Sequence, residues 1–330
     1  MWIRKDRVLN IFYEEPATDR WLPFDRYARR IIRRLIRGKP RPGGHTRVFL
    51  NLCAGLDSTG TRYRVNDYRY ANSNPAELVC IIGQPFVLDK NDWKNPILFG
   101  PAGYSHPIDD PDLLERRPIR KILVAGPWMK HMCEPSWGNA VDAWPVGIDT
   151  AKWQAPTLDE KEIDVLIYDK IRWEHDSYDV GLIEPIRTVL KKLKNSFREI
   201  RYGFYREEDF HAALCKCKTM IFLCEHETQG IAYQQALSCG IPIMAWDRGG
   251  LWRDPSYFPG ISFGPVSSVP YWDERCGTRF ADVANFEEQW AVFWTEVQRR
   301  RFRPRDYVLE NLTLEKCAQD YVEIANSCLT

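Results

Sequence analysis

Short apolar runs bounded by turn residues recur along the first half of the chain, at residues 8–12, 47–53, 78–82 and 121–125. Runs of this length are typical of buried strands, and helical stretches lie between them. Strands that alternate with helices predict a parallel sheet covered by helices. The first half is therefore predicted to be an α/β domain.

A second series of the same kind follows an interruption at residues 145–149. Strands are predicted at residues 164–168, 199–202, 219–224 and 241–245, and helices at 180–193, 207–217 and 231–239. The predicted fold class is α/β, with two doubly wound, Rossmann-like domains and a junction near residue 147. Ligands of such sheets bind beyond the carboxyl ends of the strands, so the two domains are expected to face a cleft that holds the site.

Composition narrows the class of protein. The 330 residues suit two domains of ordinary size, and 44% of them are hydrophobic, which is ample for packed cores. Lys and Arg number 46 against 45 Asp and Glu. A general nucleic-acid binder carries a clear basic excess, so no nucleic-acid partner is expected.

Ten cysteines are distributed along the chain, and several of them lie within apolar runs. Such cysteines behave as small buried hydrophobes, and no secretory signal is recognised at the start of the sequence. A cytoplasmic location is therefore expected. The cysteines lack zinc spacing, and no uncharged apolar run approaches the roughly 20 residues of a membrane span, so neither a metal site nor a spanning helix is predicted.

Charge is concentrated at one end of the sequence. Residues 1–44 contain 12 Lys or Arg and 5 Asp or Glu, a local charge of +7. Apolar residues recur at helical spacing over residues 24–37, with arginines between them, and Pro23 and Gly38 suit the two ends of a helix. This helix is expected either to bury its apolar stripe in a domain or to make peripheral contact with anionic lipid headgroups.

The stretch of residues 224–247 is the most informative for chemistry. A strand is predicted to end at its start, and Gly230 to open a helix. Backbone N–H groups at Gly230, Ile231 and Ala232 would then lie free at a helix N-terminus, where a diphosphate is stabilised by hydrogen bonds and by the helix dipole. Glu227 precedes this helix end and Gln235 lies about one turn into it, so one ligand can contact the helix end and both side chains.

Glu227, seven intervening residues and Gln235 are followed by a Gly-Ile-Pro strand start at residues 240–242. This arrangement resembles the retaining GT-B-fold glycosyltransferases that use nucleotide-sugar donors, whose hallmark is Glu, seven residues and a second Glu. Here Gln235 replaces the second Glu. Residues 145–149 are also similar to that family's domain junction, and residues 164–170 to its strand that ends in a phosphate-binding Arg.

The resemblance implies a role for each of these residues. Glu227 would hold hydroxyls of the donor sugar, or else be an acid stabilised only by the helix dipole. Gly230 and Ile231 would bind the diphosphate. Gln235 would contact the ribose, since an amide keeps an acceptor and adds a donor.

The same resemblance implies further donor contacts. Lys170, in place of the family's Arg, and Arg172 would neutralise phosphate charge, although Lys170 could equally be a solvated lysine. Gly203 and Tyr205 would belong to the base-binding loop. His226 is expected to orient its loop rather than to transfer protons.

In the first domain, Gly55 and Gly60 follow a predicted strand and look like the glycine loop that approaches the phosphate and the acceptor. His106 would meet the donor sugar, or else serve as a local hydrogen-bond partner. The resemblance further implies an acceptor domain at residues 1–147, a donor domain at 148–310 and a closing helix at 311–330 that returns to the first domain.

Together with these residues, the resemblance implies a retaining, hexosyltransferase-like enzyme that moves a sugar from a nucleotide-sugar donor to a glycan or a lipid-linked acceptor, as in polysaccharide biosynthesis. The nucleotide-sugar is a substrate, and no cofactor or metal is expected. Two other functions stay open. The chain could be a non-catalytic GT-B-like protein that binds a nucleotide or a sugar, as Gln235 suggests, or a sugar-nucleotide epimerase that needs no acceptor.

Overall fold

The computed structural model describes residues 8–15, 43–101 and 103–329. Contacts between residues divide the chain into two units. The first unit comprises the described residues up to Val124, Cys133–Trp144 and the residues from Ala318 onwards, and the second comprises Ala125–Met132 and Pro145–Cys317. The predicted basic helix at 24–37 lies outside the described residues.

The first unit contains a six-stranded sheet in which every pair of neighbouring strands is parallel, in the order β2-β1-β3-β4-β5-β6. Its strands are β1 (Leu9–Phe12), β2 (Tyr63–Val65), β3 (Val79–Ile81), β4 (Ile97–Phe99), β5 (Ile119–Val124) and β6 (Val141–Ala143). All residues of β3 and β4 are buried, as expected of parallel strands with both faces covered.

The second unit contains a five-stranded parallel sheet in the order β11-β10-β9-β7-β8. Its strands are β7 (Ile163–Asp169), β8 (Phe197–Arg201), β9 (Cys217–Leu223), β10 (Ile243–Trp246) and β11 (Gly277–Phe280). Apolar side chains of the central strands β9 and β10 are almost wholly buried. The strands predicted in this half are confirmed to within about two residues at each end.

Helices connect the strands of both units. The α-helices are α1 (Gly44–Ser58), α2 (Tyr68–Ser73), α3 (Leu113–Arg116), α4 (Pro127–Trp137), α5 (His175–Tyr178), α6 (Glu184–Lys192), α7 (Glu207–Lys216), α8 (Ile231–Ser238), α9 (Phe286–Gln298), α10 (Pro304–Asn311) and α11 (Leu314–Ser327). A π-helical turn, Asp179–Ile183, joins α5 to α6. Shorter 3₁₀ turns are Pro85–Lys90, Pro107–Asp109, Gly138–Ala140 and Leu158–Glu160.

One predicted strand is wrong. Residues 47–53 lie inside helix α1, which buries Val48, Leu52 and Leu56 and leaves Leu50 44% exposed. Burial of every fourth residue is the pattern of a helix with one face on the core, and a strand would have buried Leu50 with Val48 and Leu52.

Among the described residues, no helix combines the length and the apolar character that a membrane crossing requires.

Candidate functional site

The order of the second sheet places a switch point between β7 and β9. The chain continues from β7 to β8 on one side and reaches β9 on the other, so the loops after β7 and β9 leave a crevice at the carboxyl edge of the sheet. Lys170 directly follows β7, and its N–H continues the ladder by donating to the Leu223 carbonyl at 2.7 Å. The acidic loop that begins at Cys224 leaves β9 at the same edge.

Lys170 and Glu227 meet at this switch point. The Lys170 Nζ lies 2.7 Å from both carboxylate oxygens of Glu227, and the two side chains are only 12% and 8% exposed. The Lys170 ammonium also lies 4.6 Å from the centre of the Tyr202 ring. Lys170 is therefore not a solvated surface lysine, and the two residues predicted to bind phosphate and sugar contact each other directly.

Burial and charge act in opposite directions on this ion pair. Burial alone would lower the pKa of the Lys170 ammonium, but the charge of Glu227 and the hydrogen bonds to it outweigh that effect, so the pKa of Lys170 is raised. The Lys170 ammonium is therefore held in its charged form. A carboxylate and an ammonium that are held together and largely shielded from water can bind a ligand that carries both hydroxyl and anionic groups.

The main chain of Glu227 is fixed at both of its polar groups. Its N–H donates to the Ser267 carbonyl at 2.9 Å, and its own carbonyl accepts from the Trp128 indole N–H at 2.7 Å. Because both partners belong to the second unit, the carboxylate is positioned by this unit's own loops. Sequence reasoning did not identify Trp128, because its contact spans 99 positions of the chain.

Glu225 is a structural acid that the sequence analysis did not single out. One of its carboxylate oxygens accepts from the backbone N–H groups of Arg172 and Trp173, at 2.7 and 3.0 Å, and the residue is 3% exposed. It thus ties the loop after β7 to the loop after β9, as a carboxylate does when it satisfies otherwise unpaired N–H groups.

Arg172 contacts His226, and its side chain remains 34% exposed. Its Nη2 lies 3.1 Å from His226 Nε2 and donates to the His226 carbonyl at 3.2 Å. The His226 ring stacks on Trp173, with centroids 5.3 Å apart, and meets Trp128 edge to face at 5.6 Å. Burial, together with the charges of Arg172, Arg248 and Lys170, lowers the pKa of His226 to about 3, so this imidazole is neutral near pH 7.

Because His226 is neutral in the folded protein, the free energy of unfolding should depend on pH. A histidine of the unfolded chain titrates near pH 6.5, whereas His226 in the fold does so at about 3. Because the folded-state pKa of His226 is depressed, the stabilisation that neutral His226 contributes to the free energy of unfolding is complete above about pH 6.5. It is lost as the pH falls towards about 3. We expect the free energy of unfolding, measured by urea denaturation, to fall between about pH 6.5 and 4.5. This fall should be roughly 2 kcal/mol smaller in His226→Gln than in the parent protein. Equal declines in both proteins would contradict this assignment.

Helix α8 begins where the sequence analysis placed it. Gly230 precedes its first residue with φ +79°, and the first helical hydrogen bond runs from the Gln234 N–H to the Gly230 carbonyl at 3.1 Å. The N–H groups of Ile231 and Ala232 therefore have no acceptor within the helix. The Gln235 side chain is buried on the same helix and makes no hydrogen bond to any described part of the chain.

A network of buried amides holds this helix start in place. Gln234 Nε2 donates to the Gln229 carbonyl at 2.8 Å, and its Oε1 accepts from Gln229 Nε2 at 3.2 Å. Gln229 Oε1 in turn accepts from the Val146 N–H at 3.1 Å. Fully paired buried amides make a segment rigid, so the N–H groups of α8 are presented in one fixed direction.

Gly230 cannot be replaced without cost. A Cβ at this position would lie 1.9 Å from Cε1 of Tyr233, whose ring is fixed because its hydroxyl exchanges hydrogen bonds with the Tyr271 main chain. We expect Gly230→Ala to lower the free energy of unfolding by about 2–3 kcal/mol, from left-handed backbone strain plus overlap. Gly240→Ala is the matched control, since Gly240 has φ +72° with no atom within 4 Å of an added Cβ, and should cost about 1 kcal/mol. Equal losses in denaturant melts would rule out the overlap with Tyr233.

Two predicted donor residues lie on the loop after β8, beside β7. Gly203 has φ +87° with open space around an added Cβ, as a tight turn requires. The Tyr205 hydroxyl lies 2.5 Å from that of Tyr168, near the end of β7. Tyr202 and Phe204 flank Gly203 and are 50% and 80% exposed. The structure thus brings this aromatic loop to the same edge of the sheet as Lys170.

The predicted first-unit residues lie at a short turn and along or just beyond helix α1. His106 caps the turn Pro107–Asp109 by accepting the Ile108 N–H at Nδ1, at 3.1 Å. The prediction that a glycine loop at Gly55 follows a strand is wrong, because Gly55 is buried inside α1 and the run at 47–53 before it belongs to the same helix. Gly60 lies just beyond that helix with φ +68°, so it serves the helix end. Within the described ranges, no three His, Cys, Asp or Glu side chains could together hold a metal ion.

No protein-family model matches the chain, and no curated protein matches it by sequence. Its fold, however, is similar to that of solved glycosyltransferases. AviGT4, a glycosyltransferase involved in avilamycin A biosynthesis, superimposes with a TM-score of 0.56 at 12% identity over 98% of both chains. The lipopolysaccharide outer core galactosyltransferase WaaB gives 0.52 at 10% identity over 97% of this chain and 99% of its own.

A third neighbour is an α-glucosyltransferase solved in complex with UDP and a 13-mer DNA. It superimposes with a TM-score of 0.53 at 11% identity, over 87% of this chain and 96% of its own. Identities this low establish architecture and leave the chemistry to be argued from the site. Two parallel sheets covered by helices, matched over nearly the whole length of such proteins, show that this chain has the GT-B fold.

Proposed function

We propose that this protein is a glycosyltransferase that binds a nucleotide-sugar donor at the β7–β9 switch point of its second unit. The observation that carries the proposal is the direct contact of Lys170 with Glu227 at that edge, beside the start of α8. A fold can host many activities, so it is this combination of charges that points to glycosyl transfer.

Glycosyl transfer makes two demands on a site. The sugar passes through an oxocarbenium-like state while a nucleoside diphosphate departs, so the enzyme needs positive potential at the phosphates and acceptor groups at the sugar. The N–H groups of Ile231 and Ala232 and the ammonium of Lys170 meet the first demand. Glu227 meets the second, and its contact with Lys170 keeps the two functions adjacent.

Lys170 can serve sugar and phosphate at once. An ammonium has three N–H bonds, and two oxygens of Glu227 engage only part of this capacity. The remaining N–H can donate to a phosphate oxygen while Glu227 accepts sugar hydroxyls. Gln235, one turn into α8, is suited to a ribose hydroxyl, and the loop of Gly203 and Tyr205 to the base.

The finer parts of the proposal concern the reaction and the acceptor. We infer transfer with retention of configuration to a glycan or a lipid-linked acceptor bound by the first unit, with His106 at the donor sugar. The balanced charge of the chain favours such acceptors over nucleic acid. The basic segment at 24–37 would add peripheral contact with an anionic membrane, and the protein would act in the cytoplasm.

The proposal is tested by calorimetric titration of the protein with UDP, GDP, ADP and CMP, followed by turnover assays with sugar conjugates of the nucleotide that binds. We expect one nucleotide to bind selectively and Lys170→Ala to weaken it about tenfold or more. Lys218→Ala is the matched control. It removes a partly buried lysine that pairs with Asp164 at 2.8 Å near the start of β9, away from the carboxyl edge.

Four results would count against the proposal. Absence of binding to every nucleotide would remove the donor site. Equal losses in the Lys170 and Lys218 variants would remove the assignment of Lys170. Tight binding without hydrolysis or transfer of any conjugate would favour the non-catalytic binding protein, and conversion of a donor without acceptor would favour an epimerase.

A further inference from the structure

Arg248 is a partly buried cation at the carboxyl edge of β10. It lies two residues beyond β10, where its Nη1 donates to the Tyr178 hydroxyl at 2.8 Å and its guanidinium lies 5.6 Å from the centre of the Trp246 ring. Its Nε is buried without a hydrogen-bond partner. No described carboxylate lies within ion-pair distance of it, so one edge of the guanidinium is unused.

Carboxylates in the adjoining loops are engaged elsewhere. Asp247 accepts from the Ser268 N–H at 2.8 Å and from the Ser267 hydroxyl at 3.0 Å, with Arg279 at 3.4 Å. One oxygen of Glu225 holds two backbone N–H groups, and the other has no hydrogen-bond partner among the described residues but lies 3.8 Å from Arg172 Nε. Glu227 holds Lys170. A partly buried guanidinium that lacks a counter-ion is costly unless an anion is bound to it in the working state of the protein.

His226 supplies a second unused donor at the same edge. Strands β9 and β10 are paired in register, Leu223 opposite Trp246, so the loops that carry His226 and Arg248 leave the sheet side by side. Arg172 can only donate, so the His226 Nε2 at 3.1 Å must accept, and the proton of the neutral ring lies on Nδ1. That Nδ1 is buried without a partner in a residue that is 2% exposed.

We propose that Arg248 and His226 form an anion-binding position at the carboxyl edge of β9 and β10 that takes a carboxylate or phosphate oxygen of the sugar donor. The planar edge of a guanidinium binds two oxygens of such a group, and the imidazole N–H adds a third donor. This inference rests on the proposed function and deepens it, because it assigns a further contact to an anionic group of the donor.

Both donor atoms are enclosed by neighbouring side chains, so binding includes a shift of the loop after β10. Gly249 and Gly250 directly follow Arg248 with φ +61° and +78°, and an added Cβ would meet no atom within 4 Å at either. Two glycines in open space can change their backbone angles without a clash. The two glycines therefore give the backbone freedom next to Arg248, while the Val266 N–H holds the loop beyond them by donating to the Gly250 carbonyl at 3.1 Å.

The test is calorimetric titration of the full chain with pyrophosphate, UDP, UDP-glucose and UDP-glucuronic acid, with the GDP and ADP series as further arms. Arg248→Gln is expected to lower affinity about tenfold or more, and Arg248→Lys to retain part of it. Arg253→Gln is the control, since Arg253 is exposed on the same loop and lies over the Phe258 ring at 5.9 Å. Thermal melting checks that each variant is folded.

The arms separate the two possible sources of the anion. A loss that is equal for pyrophosphate, UDP and UDP-glucose assigns Arg248 to the diphosphate. A loss confined to UDP-glucuronic acid assigns it to the carboxylate of an acidic sugar, and the enzyme would then select such donors.

Two results would overturn the inference. If Arg248→Gln binds the probes as tightly as Arg253→Gln does, Arg248 does not bind the donor, and the proposed donor site remains intact. Absence of binding to every probe would remove this inference together with the donor site. Pyrophosphate binding that depends on Arg248, without selection of any nucleotide, would support the anion position and contradict the proposed function.

Discussion

Glu227→Gln is expected to lower kcat by about 100-fold or more while changing donor affinity by less than about tenfold. Gln keeps the volume of the side chain and one oxygen for Lys170, but it removes the negative charge that faces the developing oxocarbenium ion. The effect should therefore fall on the transition state rather than on ground-state binding. Steady-state kinetics with the nucleotide-sugar identified by calorimetry measures both parameters.

Glu207→Gln is the control for loss of an acidic side chain, because Glu207 starts α7 and pairs with exposed Lys152. It should leave kcat within about twofold of the parent protein, as expected for an exposed ion pair. If Glu227→Gln also kept kcat within that range, Glu227 would have no part in the reaction. The melting temperatures of both variants should lie well above the assay temperature.

Lys170→Met is expected to lower the free energy of unfolding by about 3–5 kcal/mol, because it leaves the Glu227 carboxylate buried without its partner. The double variant Lys170→Met/Glu227→Gln should recover about half of that loss or more, since no uncompensated charge then remains. Urea denaturation near pH 7 of the parent, the two single variants and the double variant gives the coupling energy.

Additive losses in this cycle would mean that Lys170 and Glu227 do not interact in solution. The pair Lys218 and Asp164 provides the comparison. Its side chains are 29% and 18% exposed, against 12% and 8% for Lys170 and Glu227, so its coupling energy should be smaller.

The second unit could be predicted well because its signals are local. β7 and β9 are long apolar runs, and the sequence from Cys224 to the Gly240 turn contains a strand end, an acidic loop and a glycine-led helix in a fixed order. Each of these features depends on residues that are close together in the sequence. The positions of Glu227, Gly230 and Gln235 relative to α8 could be predicted for the same reason.

The first unit was harder because its strands are short. β2, β4 and β6 have three residues each, too few to show a period, and none of them was predicted. The segment at 47–53 is predicted as a strand because it is a short apolar run bounded by turn residues. The helical pattern becomes visible only when Gly55 and Leu56 are included as buried positions.

Contacts between loops that are far apart in the sequence could not be predicted from the sequence alone. Lys170 and Glu227 are 57 positions apart, and nothing in either motif indicates that the side chains meet. The unused donors of His226 and Arg248 likewise emerge only once β9 and β10 are paired. Sheet topology decides which loops are neighbours, and periodicity alone does not give the strand order.

The division of the chain into units constrains the order in which the protein can fold during synthesis. The first unit needs residues from Ala318 onwards, where Tyr321 is fully buried and meets Trp144 edge to face at 5.1 Å. The ribosome makes all of Pro145–Cys317 before it reaches them. The second unit can therefore complete its core while the first still exposes apolar surface, and the nascent first unit is the part that depends on protection from aggregation.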